Sequence, residues 1–493
     1  MNQAYEDLLA HQKQTMALGR IGGLMSWDQE VMMPRKGADS RAEQSGALSA
    51  VMHDRRTDPR IGDWLDAIPT EGLTPTAAAN IRLIRRSYDR TCLIPKALAE
   101  ETAKVTTKAQ ITWAEARATN DVAAFAPTLR HVIDLTRQYA DCLKANGSRY
   151  DALLDDYEPG ATEAGIAGIF DRLRVGLVDL KTRISDSEHS PPKATGDFTE
   201  DAQMALARDL AGAFTYDWQA GRLDLSVHPF SSGTRGDARI TTRVDPQNPF
   251  DCLYSTIHET GHALYEQGVA PDLDWQPAGQ SVSMGVHESQ SRFCENQIGR
   301  SAPFAEFLWP KFQEAFGNAG LGSADDLYRA TNRVAPGFIR TEADEVHYNL
   351  HIMLRFDLER ALIGDDLQVD DLEAAWNERF ETDFGVAVPD PARGMLQDVH
   401  WSCGLFGYFP TYSLGNVYAG CLDKAMRGDL PDRDQMVSSG DLAPVVTWLR
   451  EKVHRTGSLL APGEVIAEAT GAEPSEAALL DYLDAKFGAI YGL

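Results

Sequence analysis

The sequence predicts a predominantly α-helical protein with one small β element, and three observations carry that prediction. Apolar residues recur at helical spacing through most of the chain, and the breaks fall at Gly or Pro clusters. Only the stretch from Arg222 to Pro249 changes texture, to alternating and β-branched residues. No internal repeat, low-complexity tract or long linker interrupts the 493 residues, so one unit over 1–493 is expected. It divides into a helical half (1–220), a middle part that gathers the chemistry (221–410) and C-terminal helices (411–493).

Tyr5, Leu8, Leu9 and Met16 begin an apolar stripe that Gly19, Gly22 and Gly23 are expected to break. A second helical run extends from Arg41 to Met52, and further helices are expected at about 75–91, 95–118, 122–145, 162–185 and 199–219. Leu223 to Val227 and Ala238 to Val244, parted by Gly233 and Gly236, read as a hairpin or three-stranded sheet. The next helix is the best signalled. Asn248 is a natural N-cap, Pro249 suits the first helical position, Asp251 favours the positive end of the dipole, and Gly268 supplies the stop. Helices then resume at about 284–298, 302–317, 324–332, 340–363, 369–382, 413–427, 441–453, 463–469 and 474–489.

A formal charge of -26, from 47 Lys+Arg against 73 Asp+Glu, argues against nucleic acid or an anionic membrane as the main partner. No basic segment with a following apolar run opens the chain, and no stretch of about 18 apolar residues occurs, so neither signal peptide nor membrane span is expected. The six cysteines are scattered without a CxxC pair. They read as reduced thiols, and the expected compartment is the cytoplasm.

Seven of the twelve histidines lie between 228 and 400, which marks where the chemistry collects. Its centre is His258-Glu259-Thr260-Gly261-His262. Four residues apart on a helix, His258 and His262 share a face and can reach one metal ion. Glu259, one step round, can address an activated water without taking a coordination position. The alternative is a chance match on an ordinary helix. Against it stand the surrounding Phe250, Leu253, Tyr254, Ile257, Leu264 and Tyr265, because a buried helix would carry two imidazoles and a carboxylate only at cost without a metal or partners.

A zinc hydrolase wants three protein ligands and one open position. Glu288 is the chosen third ligand, with His287 as the alternative ligand or an orienting neighbour. Glu259 is expected to take a proton from the attacking water and pass it to the leaving amine. An oxyanion donor is sought among His228, His400, Tyr408 and Tyr412. Arg340 can clamp a substrate carboxylate or instead pair with Glu342, Asp344 or Glu345. His347 and His351 repeat the four-residue spacing without a companion glutamate and read as structural.

Six ordered segments carry a resemblance to the carboxypeptidase Taq family of metallocarboxypeptidases. They are His228 to Phe230, Asp237 to Thr241, His258 to His262, His287 to Gln290, Ile339 to Asp344 and Gly394 to Trp401. Trp27 to Glu30 with Met33-Pro34, and the segment from Trp448 to Tyr491, fit as well, so the resemblance spans nearly the whole chain. It implies a mostly helical homodimer with a deep central groove, similar to angiotensin-converting enzyme and neurolysin-type peptidases, with the small sheet beside the metal helix. It also implies His258, His262 and Glu288 as ligands of zinc or cobalt, Glu259 as general base, and His228 and Tyr412 at the scissile carbonyl. Arg340 becomes the clamp for the substrate C-terminus, His400 and Tyr408 further substrate contacts, and Arg239 part of a segment that limits substrate length.

The activity so implied is release of single C-terminal amino acids, with broad specificity, from peptides with a free C-terminus. An oligoendopeptidase or a dipeptidyl carboxypeptidase on a related fold is the neighbouring reading. A non-catalytic module with a structural metal is the distant one, and Glu259 and an open ligand set without cysteine speak against it.

Overall fold

In this computed structural model residues 2–145 and 147–493 are described. The first helix, α1 (Gln3–Val31), is capped by the Asn2 side chain and runs unbroken through Gly19, Gly22 and Gly23. The expected break is absent, and Gly22 serves a contact instead. A Cβ on Gly22 would lie 3.3 Å from Leu48 of α2 (Ala38–Arg56). Then come α3 (Pro59–Ala67), α4 (Pro75–Leu93), α5 (Lys96–Thr119), α6 (Val122–Leu143), α7 (Arg149–Leu154), α8 (Glu163–Asp186) and α9 (Glu200–Ala213). The short α3 and α7 were not expected. Asp58 with Pro59 starts the first, and a Ser148–Asp151 capping box starts the second.

The change of texture after Arg222 is a three-stranded sheet in the order β1 (Leu223–Leu225), β3 (Asp237–Thr242), β2 (Ser231–Thr234). Its central strand, β3, pairs parallel to β1 (Leu223 opposite Ile240) and antiparallel to β2 (Ser231 opposite Ile240). Its buried Ala238 and Ile240 face the core. At its end Thr242 Oγ1 donates to Cys252 O at 3.1 Å, and Arg243 pairs with Asp251 at 2.6 Å. The sheet thereby holds the first turn of α10 (Pro249–Gly268), whose N-cap is Asn248. The cap, proline and acid of this helix act as read; it ends at Gly268, but that glycine serves a close approach and not a left-handed turn, since a Cβ on it would fall 2.5 Å from His454 Nδ1.

The helix expected at 284–298 is α11 (Met284–Arg292) continued by a π-helical turn, Phe293–Gly299. Next are α12 (Ala302–Phe316), α13 (Ala324–Thr331) and α14 (Glu345–Gly364). The last begins five residues later than expected. Arg340–Glu342 form a separate 3-10 turn, and Asp344 caps α14 by accepting from Val346 N and His347 N. The chain ends with α15 (Leu372–Phe384), α16 (Pro410–Asp429), α17 (Arg433–Ser439), α18 (Ala443–Lys452), α19 (Pro462–Thr470) and α20 (Glu476–Tyr491). One continuous core reaches from Ala109 to Tyr491, and α1, α3 and α4 share a smaller core of their own. No described helix is long and apolar enough to cross a membrane.

The helix α11 is gripped from two sides. A Cβ on Gly261 of α10 would fall 2.5 Å from Gln290 O and 2.6 Å from Ser291 Cα. A Cβ on Gly415 of α16 would fall 2.5 Å from Glu288 Cγ. Glycine at these two places lets three helices approach closely enough for side chains of α10 and α11 to meet. The start of α11 is tied to the helical half by Glu158, which is fully buried and accepts from Gly285 N and Tyr418 OH, each at 3.0 Å. Burial pushes its carboxyl up to about 7.

Gly261→Ala, which wedges a methyl group between two backbones, should cost about 1–3 kcal/mol in urea unfolding. Unchanged stability would mean that the approach of α10 and α11 is not tight.

Candidate functional site

His258 and His262 stand on the face of α10 that meets α11, which presents Glu288. The Nε2 atoms lie 3.7 Å (His258) and 3.3 Å (His262) from Glu288 Oε2, and one donor atom from each residue lies within 4.8 Å of the others. What these atoms can hold follows from the hydrogen bonds behind them. His258 Nδ1 donates to Glu295 Oε2 at 2.9 Å, because a carboxylate only accepts, and a neutral ring then leaves Nε2 bare. Glu288 Oε1 is taken by Arg292 Nε at 2.7 Å, which leaves Oε2 facing the two rings. Two imidazole nitrogens and an anionic oxygen converging at the cavity wall fit a divalent cation, with nitrogen and oxygen donors suited to zinc. His262 Nδ1 in turn contacts His287 Nδ1.

Charge around the centre is balanced by arginines. Arg292 also reaches Glu295 at 3.4 Å, and Arg300 does so at 3.1 Å. Burial would raise the carboxyl of Glu288, but Arg292 and the two histidines outweigh it and hold it well below the usual range. Burial pushes His262 down to about 3. Glu259 is pushed up to about 7 by burial, and it makes no hydrogen bond to another described residue. A carboxylate so placed can exchange a proton near neutral pH.

These groups line a cavity of about 1140 Å³. Arg340, Tyr348, Tyr408 and Tyr412 line it too. Arg340 does not pair with Glu342, Asp344 or Glu345. Its Nε meets Asp398 Oδ1 at 3.2 Å, its Nη1 donates to Tyr348 OH at 3.3 Å, and its guanidinium lies 4.9 Å from the Tyr412 ring centre. Tyr408 and Tyr412 are carried by a loop and the start of α16. That loop is fixed by the fully buried Glu359, which accepts from Gly407 N at 3.0 Å, Trp401 Nε1 at 2.8 Å and Tyr150 OH at 2.7 Å.

Other expected residues stand apart from the cavity surface. His228 is exposed on the turn between β1 and β2, although Pro229, Phe230 and Ser231 line the cavity. Arg239 pairs with Asp237 at 2.7 Å and lies 4.2 Å from the Trp27 ring centre, so it joins the sheet to α1. His400 packs against Phe409 at 4.5 Å, behind the tyrosines, and burial pushes it down to about 4. His347 and His351 are buried in α14, bound to Asp344 and Gly337 O.

Sequence reasoning did not single out Glu295, Arg292, Asp398 or Tyr348. The first two had a visible signal, since Glu288, Arg292 and Glu295 follow at i, i+4 and i+7 on one helical face. Asp398 and Tyr348 had none beyond lying in or after recognised segments.

The family model of the Carboxypeptidase Taq (M32) metallopeptidases matches residues 7–487. The sequence is 41 % identical over 505 aligned residues to thermostable carboxypeptidase 1 of Thermus thermophilus, covering 99 % of each chain. It is 36 % identical to carboxypeptidase 1 of Bacillus subtilis over 95 % of each. Among solved structures, the M32 carboxypeptidase of Deinococcus radiodurans is similar with a TM-score of 0.97 at 35 % identity, covering 100 % of both chains. Trypanosoma cruzi metallocarboxypeptidase 1 is similar with a TM-score of 0.95 at 35 % identity, covering 98 % of this chain and 99 % of that one.

Asp398 holds two arginines, Arg340 and the fully buried Arg355, the latter with Nε at 2.8 Å. Burial would raise its carboxyl from the ordinary 3.8, but Arg355 and Arg340 outweigh it and hold it far below. A depressed carboxyl contributes stability that is complete above the unfolded value and lost as pH falls below it. Asp398→Asn should therefore cost about 3–5 kcal/mol in urea unfolding at pH 7, by leaving buried guanidinium groups uncompensated. The gap to wild type should narrow between pH 5 and pH 3. A gap that stays constant would show that Asp398 is not the ionised partner of these arginines.

Proposed function

The chain belongs to the carboxypeptidase Taq (M32) metallopeptidase family and is a metal-dependent carboxypeptidase, and we propose that it releases single C-terminal residues, with broad specificity, from peptides with a free C-terminus. One observation carries the finer reading. The cavity that holds two bare imidazole nitrogens and Glu288 also holds Glu259 and a buried arginine, Arg340.

His258, His262 and Glu288 are the proposed ligands of zinc, with cobalt as the alternative. When bound, such a cation acts as a Lewis acid and brings the pKa of water towards neutrality. Glu259 takes the proton of the attacking water as oxygen bonds to the scissile carbonyl carbon, and gives it to the amine nitrogen as the C–N bond breaks. Arg340 clamps the terminal carboxylate, aligned by Asp398 on one side and Tyr348 on the other. Tyr412 stabilises the oxyanion and Tyr408 contributes to substrate binding, and the resemblance adds His228 to the first role and His400 and Arg239 to the second, although these three stand off the cavity surface here. The two tyrosines have the support of lining the cavity, whereas His228, His400 and Arg239 rest on the family resemblance. We read the chain as one catalytic unit that works as a cytoplasmic homodimer.

Mass spectrometry of one short peptide, as free acid and as C-terminal amide, tests this. Stepwise loss of single residues from the free acid alone, abolished by a chelator, is expected. Cleavage of the amide would point to an oligoendopeptidase, and loss of residues in pairs to a dipeptidyl carboxypeptidase. Glu259→Gln should keep its zinc and lose about 100- to 10,000-fold in kcat. Unchanged turnover would remove Glu259 from the mechanism.

A further inference from the structure

We infer that Glu266 and His287 form a positioning pair that fixes which nitrogen of His262 is bare. The inference rests on the proposed ligand set and extends it to two residues outside that set. His287 Nε2 lies 3.0 Å from Glu266 Oε1, and His287 Nδ1 lies 2.5 Å from His262 Nδ1. Glu266 is one helical turn beyond His262 on α10, so His287, reaching over from α11, is held between two groups of the same helix face.

The hydrogens follow from the far end. The Glu266 carboxylate only accepts, so the proton of a neutral His287 sits on Nε2. Its Nδ1 is then an acceptor, and the Nδ1–H of His262 must be the donor. That leaves the His262 Nε2 lone pair aimed at the cluster, 3.3 Å from Glu288 Oε2. With the opposite tautomer His262 would aim an N–H at the place of the cation. His258 has its own carboxylate, Glu295, in direct contact; His262 has one too, with a second imidazole between. One link joins α10 to α11 and the other joins it to the π-helical turn that continues α11, so they fix ring orientation as well as tautomer.

Competition between the metal-free protein and a chelator for zinc tests the pair, with far-UV circular dichroism to verify folding. His287→Phe fills the space without an acceptor and should lower zinc affinity about 10- to 100-fold. His287→Asn, whose Oδ1 stands near the position of Nδ1, should restore most of that loss. Glu266→Gln, which can donate as well as accept, should fall between wild type and His287→Phe. His262→Ala is the reference. Wild-type affinity in His287→Phe beside a large loss in His262→Ala would overturn the positioning pair and spare the ligand set. Equal losses in the Phe and Asn variants would overturn it too, since packing and not the acceptor would then matter. Wild-type affinity in His262→Ala would overturn the ligand set itself. If His287→Phe does not fold, ring ¹⁵N shifts of the metal-free wild type decide. Protonation of His262 at Nδ1 and of His287 at Nε2 is expected, and the reverse pattern would refute the inference.

Discussion

Everything in the catalytic region answers to one constraint: three electron-pair donors converge within 4.8 Å of one another, Glu288 buried and the two histidines partly so. Two imidazole rings and a carboxylate drawn this close need countercharge and hydrogen bonds behind them to hold their places. Arg292 neutralises part of the charge by taking one oxygen of Glu288, and Glu295 spreads its own charge over His258, Arg292 and Arg300. The other oxygen of Glu288 faces the two imidazoles and accepts from Ser291 Oγ at 3.1 Å. In the proposed ligand set a resident arginine and a removable metal would divide one carboxylate between them. The close approach of α10, α11 and α16 at Gly261 and Gly415 makes that arrangement possible, because each added methyl group would push Glu288 or its helix away.

The substrate side is built on a different principle. Arg340 is buried and already engaged by Asp398, so its orientation is settled before a ligand arrives. A clamp that needs no side-chain ordering on binding loses less entropy per hydrogen bond. Arg355, on the other oxygen of Asp398, keeps that carboxylate ionised. The tyrosine-bearing loop is similarly preset by three bonds to Glu359. The two networks are joined at Tyr348, whose hydroxyl accepts from Arg340 Nη1 at 3.3 Å and whose ring centre lies 4.1 Å from the guanidinium of Arg292.

How much of this could be read in advance depended on how local the physics is. The α10 helix was legible because its cap, first-turn proline and acid, stop and four-residue histidine spacing all lie within 248–268. Glu288 was legible from its neighbours in sequence. The glycines of α1 misled, since a glycine that ends a helix and one that admits a neighbouring helix look alike until the neighbour is known. The partner of Arg340 was sought among nearby acids and lies 58 residues away at Asp398. His228 and Arg239 sit in recognisable segments, yet a segment does not say which of its side chains turn towards a cavity. Tertiary pairings of that kind have no periodicity to betray them.

All three donors, and the carboxylates behind them at Glu266 and Glu295, fall between Asn248 and Gly299. Bringing the donors together closes a single loop of about 30 residues, a modest entropic cost. The cavity-lining groups proposed to face a peptide, Arg340, Tyr348, Tyr408 and Tyr412, come instead from much later in the chain. On the ribosome, where the chain emerges from its N-terminus, the residues of the chemical half are thus synthesised well before those of the recognising half. Their final spacing nevertheless waits for α16, whose Gly415 seats against Glu288 in the same helix that carries Tyr412, so early synthesis is joined to late closure.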